Sequence, residues 1–265
     1  MKNYTVSVIL AAYNEEIYIE QCIASLLEQA YSIEEIIVVD DGSTDKTVEI
    51  LKKLAENNKK IKVFVAMSGG VDSSLSAALL KGQGYDVTGV FIKVWQPDFV
   101  ECVWKEDRLD AMRVCARLGI KFLTLDLEKE YKKEVVDYMI SEYKAGRTPN
   151  PDVNCNKYVK FGAFFDFAMK SGADYVATGH YVRLERNLKN KILNLKSNLS
   201  DKDKKQKYVY ELLQAKDKNK DQSYFLWNLT QEHLRRTLFP IGDLQKTEVR
   251  KMARKFNLQV SEKKD

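Results

Sequence analysis

Short apolar runs alternate with stretches of helical period along most of the 265 residues, and that alternation limits the fold more than any single motif. Residues 5–12 are apolar and β-rich, and residues 15–30 then set Ile19, Cys22, Ile23, Leu26 and Leu27 on one helical face. The pattern predicts strands over 35–39, 61–67, 87–94, 122–125 and 175–177. It predicts helices over 47–55, 71–83, 106–118, 128–145 and 157–170, with a loop around Pro149-Asn150-Pro151. Strands separated by helices form parallel βαβ units, so the expected fold is α/β with a doubly wound parallel sheet. Residues 185–220 break the rhythm. They are rich in Lys, Asn and Asp, with 200–207 almost wholly polar, and they predict a hairpin with a lengthened loop. Helix returns over 231–238 and 246–256, and no internal repeat is found.

Composition excludes several classes. The chain is 45% hydrophobic and 31% charged, in the normal globular range. Its mean hydropathy of −0.40 argues against a membrane protein. The longest clean apolar stretch, residues 6–13, is far short of the roughly 18–20 residues a membrane span needs. It lacks a basic lead and a small-residue cleavage pattern, so no signal peptide is expected. Cys22, Cys102, Cys115 and Cys155 are widely spaced, which argues against a zinc site or a disulfide framework and for a reducing cytoplasm. The net charge of +5 is uneven: residues 1–60 balance at −5 and residues 61–265 at +10. The basic body has two readings, a polyanionic partner such as nucleic acid or a solvated lysine-rich surface.

The strongest chemical signal is Ser68-Gly69-Gly70-Val71-Asp72-Ser73-Ser74, placed where a strand ends and a helix begins. Glycines there let the backbone turn sharply and bring N–H groups close to a ligand. The helix N-terminus adds partial positive charge, which suits a phosphate or pyrophosphate. Ser68, Ser73 and Ser74 offer hydroxyls, and Asp72 offers a carboxylate for magnesium on those phosphates. The lysine of the G-x-x-x-x-G-K-[ST] loop is missing. A Gly-Gly turn with serine caps remains the plainer reading.

These seven residues resemble the pyrophosphate loop of the ATP pyrophosphatases, which cleave ATP between its α and β phosphates. More narrowly, residues 61–265 resemble the bacterial tRNA-specific 2-thiouridylase family. The matching stretches are ordered along the chain: Ser68 to Ser74, Gly89-Val90-Phe91-Ile92-Lys93, Tyr143 to Asp152 with its Arg147-Thr148-Pro149-Asn150-Pro151-Asp152, Cys155-Asn156, Lys160-Phe161-Gly162-Ala163-Phe164, Ala177-Thr178-Gly179-His180-Tyr181, Lys220-Asp221-Gln222-Ser223-Tyr224-Phe225-Leu226 and Leu238-Phe239-Pro240. The resemblance implies a Rossmann-like domain of the adenine nucleotide alpha hydrolase type and an enzyme that thiolates C2 of the wobble uridine of tRNA. Ala66, Met67, Ser68, Gly69, Gly70, Val71, Asp72 and Ser73 would line the ATP phosphates. Ile92, where the family often has Met, would contact adenine or ribose, and Gly179 would border the nucleotide. Asn150, Pro151 and Asp152 would touch the target base, and His180, Lys220, Asp221 and Gln222 would touch tRNA. Cys155 matches one of two functional cysteines; with Asp72 it forms the expected catalytic pair. Cys22, Cys102 and Cys115 are expected to be non-catalytic, and His233 to be a surface helix residue. The implied cofactors are ATP and magnesium. The implied partners are tRNA and a sulfur donor, either a persulfide carrier or a cysteine desulfurase, with no membrane. The family's second cysteine lies in a segment past the stretch matched here, so the resemblance implies the ATP half of the machinery and one cysteine.

Residues 1–60 resemble something else. Val6-Ser7-Val8-Ile9-Leu10-Ala11-Ala12-Tyr13-Asn14-Glu15-Glu16 and Ile37-Val38-Val39-Asp40-Asp41-Gly42-Ser43-Thr44-Asp45 are similar to the opening of a family 2 glycosyltransferase. There Tyr13 and Asp41 or Asp40 would help bind the base and ribose of a nucleotide-sugar. The second motif also reads as a turn with a helix cap. Three functions follow as alternatives: ATP-dependent tRNA 2-thiolation, a nucleotide-sugar glycosyltransferase fragment, and an ATP-binding fusion that turns nothing over.

Overall fold

The computed structural model describes residues 6–29, 33–58, 60–97, 104–188 and 208–263. The expected loop tip at 200–207 and Cys102 lie outside these. The chain divides into two compact units, residues 1–60 and 61–265.

In the first unit, β1 (Val6–Ala12) and β2 (Ile33–Asp40) pair in parallel, with Ala12 opposite Asp40. Helices α1 (Ile19–Leu27) and α2 (Thr47–Asn57) follow them in turn. The core is thin: Ala12, Ile19 and Ile23 are buried, packed by Leu10, Ile36, Val38, Ile50, Leu51 and Leu54. Helix α1 begins at Ile19 rather than at residue 15, because residues 13–16 are tied into a turn. Asn14 adopts φ 53°, its N–H donates to Ser43 Oγ at 2.9 Å, and its Oδ1 accepts from the Thr44 N–H at 2.8 Å. Asp40 is held the same way. Its Oδ2 accepts from the N–H groups of Gly42 and Ser43, and Ser43 Oγ donates to Oδ1 at 2.5 Å. Asp40 is therefore taken up by its own turn, while Tyr13 and Asp41 stay exposed.

The second unit is built on a five-stranded parallel sheet in the order β5-β4-β3-β6-β9. Its strands are β3 (Lys62–Met67), β4 (Asp86–Lys93), β5 (Lys121–Asp126), β6 (Tyr175–Ala177) and β9 (Thr237–Leu238). Period-2 alternation in β3 sends Val63, Val65 and Met67 to one face and Phe64 and Ala66 to the other. Helices α3 (Val71–Gly82), α4 (Trp104–Leu118) and α10 (Lys246–Lys255) supply Leu75, Val114, Val249 and Ala253 to the first face. The other face is covered by two long helical runs. One is α5 (Glu128–Tyr131), a π-type segment (Lys132–Asp137) and α6 (Tyr138–Lys144). The second is α7 (Pro151–Asn154), a π-type segment (Cys155–Phe164) and α8 (Phe165–Lys170). With helices on both faces, this is the doubly wound arrangement that the alternation predicts. A hairpin of β7 (Val182–Leu188) and β8 (Tyr208–Gln214) pairs antiparallel, Val182 opposite Gln214.

Three expectations are corrected. The helix expected from residue 157 begins at Pro151, because Asn150 caps it: Asn150 Oδ1 accepts from the N–H groups of Asp152 (3.1 Å) and Val153 (3.3 Å). The helix expected over 231–238 ends at Arg235 (α9, Gln231–Arg235); Thr237 and Leu238 turn into the sheet edge opposite Val176 and Ala177. Edge pairing outweighs the helical period there. His233 is half-buried rather than on the surface: it packs edge-on against Phe165 at 5.0 Å, and its ring joins the Thr230 capping box of α9.

Candidate functional site

Strand β3 leaves the sheet toward β4 on one side and β6 on the other, so the order switches at its carboxyl end, where open α/β sheets form their crevice. The Ser68-to-Ser74 loop stands there. Gly69 has φ +74°, and a Cβ on it would also run into the backbone carbonyl of Asp107, so two separate constraints demand glycine. Gly70 is the N-cap of α3 and has no side chain to occupy the helix end. Ser68 N–H donates to Ser73 Oγ at 3.1 Å, and Ser74 Oγ donates to the Gly70 carbonyl at 2.7 Å. The loop is thereby fixed with the first-turn N–H groups of α3 directed outward, free of intrahelical partners. Gly179, after β6, lies against this turn; a Cβ there would come within 2.6 Å of the Ser73 nitrogen.

A cleft of about 460 Å³ opens in front of the loop. Of the residues singled out in the sequence, Ala66, Met67, Ser68, Asp72, Ser73, Ile92, Cys155, Gly179, His180 and Gln222 line it. Gly69, Gly70 and Val71 shape the turn behind that wall. Asn150, Pro151 and Asp152 form the start of the helix that carries Cys155, and Asn150 and Asp152 are exposed. Asp221 is occupied structurally: it accepts from the Ala215 N–H at 2.8 Å and from the Ser223 hydroxyl at 2.7 Å. Lys220 is half-buried beside it, and neither lines the cleft. Gln222 Oε1 accepts from the Tyr181 N–H at 2.9 Å, joining the loop after β8 to the strand that follows Gly179.

Asp72 does not stand open for a metal. Lys246 Nζ, from the first turn of α10, lies 2.8 Å from both carboxylate oxygens, and the Tyr181 hydroxyl donates to Oδ1 at 2.8 Å. A divalent cation on the same carboxylate would sit beside an ammonium, at a Coulomb cost. Among the described residues no three His, Cys, Asp or Glu side chains cluster to hold a metal. A magnesium ion on Asp72 would have to share that carboxylate with Lys246.

His180 lines the cleft from the turn after β6. It is buried, its Nδ1 lies 2.8 Å from Thr178 Oγ1 and its Nε2 3.5 Å from Lys160 Nζ. Burial, reinforced by the Lys160 charge, pushes it well below the usual histidine range, which favours the neutral imidazole. Burial raises the Cys155 thiol; Lys160 pulls against that rise and Asp152 adds to it. Cys115 is fully buried, and desolvation pushes its thiol up to about 11, which makes it inert. Cys22 lies on α1 in the first unit.

Several residues in or beside the cleft carried no local signal. Lys246 meets Asp72 across 174 residues. Lys160 sat inside a quoted motif, but only the helical geometry turns it into the cleft. Gln96 and Tyr131 also line it, and Gln96 Oε1 is buried with no hydrogen-bond partner among the described residues.

A parallel sheet with a glycine-built anion loop at its switch point defines a Rossmann-like protein of the pyrophosphate-loop class. A family model described as the tRNA methyl transferase HUP domain matches residues 61–265, and the chain belongs to that family. A second model, glycosyl transferase family 2, matches residues 7–90. Among individual proteins, the chain is 53% identical over 208 residues to the tRNA-specific 2-thiouridylase MnmA of Christiangramia forsetii, covering 77% of this chain and 49% of that protein. It is 48% identical over 211 residues to the tRNA-specific 2-thiouridylase MnmA of Streptococcus pyogenes serotype M49, covering 79% and 52%. The chain thus spans about half the length of the curated relatives it matches. Among solved structures, a 4-thiouridine synthetase–RNA complex with bound ATP overlaps 98% of this chain and 61% of its own at 17% identity, with a TM-score of 0.46.

Proposed function

We propose that the second unit, residues 61–265, catalyses the ATP-dependent part of 2-thiolation of the wobble uridine in tRNA. The observation that carries this reading is a single cleft lined on one side by the Ser68–Ser73 loop and on another by Cys155. ATP would place its β and γ phosphates on the loop and the α3 N-terminus, with Ile92 and Gly179 beside the nucleoside. Magnesium would arrive on the phosphates, since Asp72 is taken by Lys246. The uridine C2 oxygen attacks the α-phosphorus, the α–β bond breaks, and pyrophosphate leaves. The outer sulfur of a persulfide then adds to C2 and expels AMP, and a second thiolate attacks the inner sulfur, which releases the 2-thiouridine and leaves a disulfide. Reading one base this way requires extruding it, and Asn150, Pro151 and Asp152 at the end of the Cys155 helix are the residues we assign to it. His180, Lys220, Asp221 and Gln222 are assigned to tRNA, His180 from within the cleft wall. Sulfur comes from a persulfide carrier or cysteine desulfurase in the cytoplasm to the second cysteine of the family, which lies past the stretch matched here, and Cys155 is the thiol that works with it. Among the described residues no helix is long and apolar enough to cross a membrane.

The relatives' names favour sulfur transfer over the methyl transfer in the family's description, and a cysteine in the nucleotide cleft fits the former. The test is to incubate the full chain with ATP and tRNA transcript and measure AMP and pyrophosphate. Formation of both only with tRNA bearing the wobble uridine is expected. ATP turnover that ignores tRNA would sink the reading.

A second reading concerns residues 1–60 alone. The match over 7–90, with Tyr13 and Asp41 exposed, favours a family 2 glycosyltransferase-like βαβα unit. Binding of a UDP- or GDP-sugar by the full chain, lost in Asp41→Ala, would support it.

A further inference from the structure

Cys155 and Lys160 are five residues apart, a spacing that an α-helix cannot bring together. At 3.6 residues per turn, positions 155 and 160 would point about 140° apart. The segment Cys155–Phe164 is instead π-type, and its i→i+5 bonding stacks residues five apart on one face. Cys155, Val159 and Lys160 accordingly all line the cleft. Asn154 Nδ2, donating to the Glu134 carbonyl at 3.0 Å, pins the start of that segment to the neighbouring π-type run.

Lys160 is placed unlike the other cations around the cleft. Lys246 is neutralised by Asp72 and Lys263 by Asp107 and Asp110. Among the described residues Lys160 has no carboxylate in ion-pair range; the one group its ammonium meets is His180 Nε2 at 3.5 Å. A neutral imidazole orients an ammonium without cancelling its charge. Lys160 donating to Nε2 puts the ring proton on Nδ1, where it donates to Thr178 Oγ1. A half-buried, oriented and uncompensated cation is a site for an anion.

We propose that Lys160 is the positioning residue that stabilises Cys155 as a thiolate in the cleft, with the π-type turn as the device that pairs them and His180 as the support that aims the ammonium. The proposal rests on the reading of Cys155 as the sulfur-handling group and adds what ionises it. The proton leaves to solvent, and the negative charge left on Sγ faces the lysine. The other ionisable groups facing Cys155 are Asp152 from the helix start, Tyr131 from α5 and neutral His180 from the turn after β6. Asp152 opposes the thiolate and the other two carry no charge at neutral pH, so Lys160 is the one favourable cation in this set. Glu134 is turned to Lys133.

The test follows alkylation of Cys155 by iodoacetamide as a function of pH in the full chain, read by peptide mass spectrometry. Wild type, Lys160→Met and Lys160→Arg are compared without ATP, with Lys160→Gln as the substitute where the Met variant does not fold. Loss of the cation should move the inflection up by about one pH unit, which is tenfold less thiolate at neutral pH, and arginine should restore it. Coinciding profiles for wild type and Lys160→Met would overturn the proposal. So would an unchanged profile with weakened ATP binding, because the ammonium would then serve phosphates. The readout needs neither tRNA nor turnover, so its failure leaves the thiolation reading standing, and failed thiolation leaves this result interpretable.

Discussion

His180 enters the core uncharged, and this sets a pH dependence. Its pKa in the folded chain lies well below 6.5, so the unfolded chain takes up a proton that the folded one refuses. Stability from this residue is therefore complete above pH 6.5 and falls as the pH drops below it, by up to about 1.4 kcal/mol per unit. His233, depressed by partial burial, contributes with the same sign. Urea titrations between pH 5 and 8 should show the decline, and His180→Gln should flatten most of it; an equally steep variant would mean that other groups cause the loss. The residue types in the loop were legible in the sequence because glycine and serine at a strand–helix junction have few other uses. The state of His180 was not. A histidine after Thr178-Gly179 looks the same whether it faces solvent or Phe161, and only the packed structure brings that ring to 6.1 Å.

Helix ends and helix type decide what the cleft contains. Asn150 holds the first turn of α7 through two N–H groups, so Asn150→Ala should cost about 1 kcal/mol in chemical denaturation. A null effect there would mean that Pro151 alone sets the start. That start was readable, since Asn followed by Pro is a cap-and-N1 signature, yet the two prolines also suggest a loop. The π-type segment was not readable, because periodicity arguments assume 3.6 residues per turn. At the other side of the loop, Lys246 ties α10 to α3 through Asp72. Lys246→Met leaves that carboxylate with the Tyr181 hydroxyl and removes a part-buried pair. A loss on the order of 1–3 kcal/mol in the urea midpoint is expected, with weaker ATP binding as the loop loosens. Unaltered stability would show that water replaces the ammonium. No local pattern announces this contact: a lysine opening a helix reads as a solvated residue until the sheet brings it across.

The two units of the molecule differ in what they can bury. Among the described residues the first has three buried apolar residues, with a cavity of about 330 Å³ beside them, and the second has an apolar layer on each side of a five-stranded sheet. Ligand should therefore act through the second. Saturating magnesium–ATP, at about a hundred times its dissociation constant, should stabilise the full chain by about 2.7 kcal/mol, seen as a rise in melting temperature that UDP-sugars do not produce. A rise with UDP-sugars alone would move the function to the first unit. Much of this organisation was legible, since β–α alternation and the change of charge near residue 60 are long-wavelength signals. The fifth strand was not, because two residues carry no period. The reach of Lys246 also orders events during synthesis. Ribosomes add about 5–20 residues per second, so the loop aspartate is made roughly 10–35 s before the lysine that will hold it. Through that interval the nascent chain has the anion loop without its clamp. Nucleotide capture thus waits for the lysine to emerge, and ATP has no finished pocket to occupy until then.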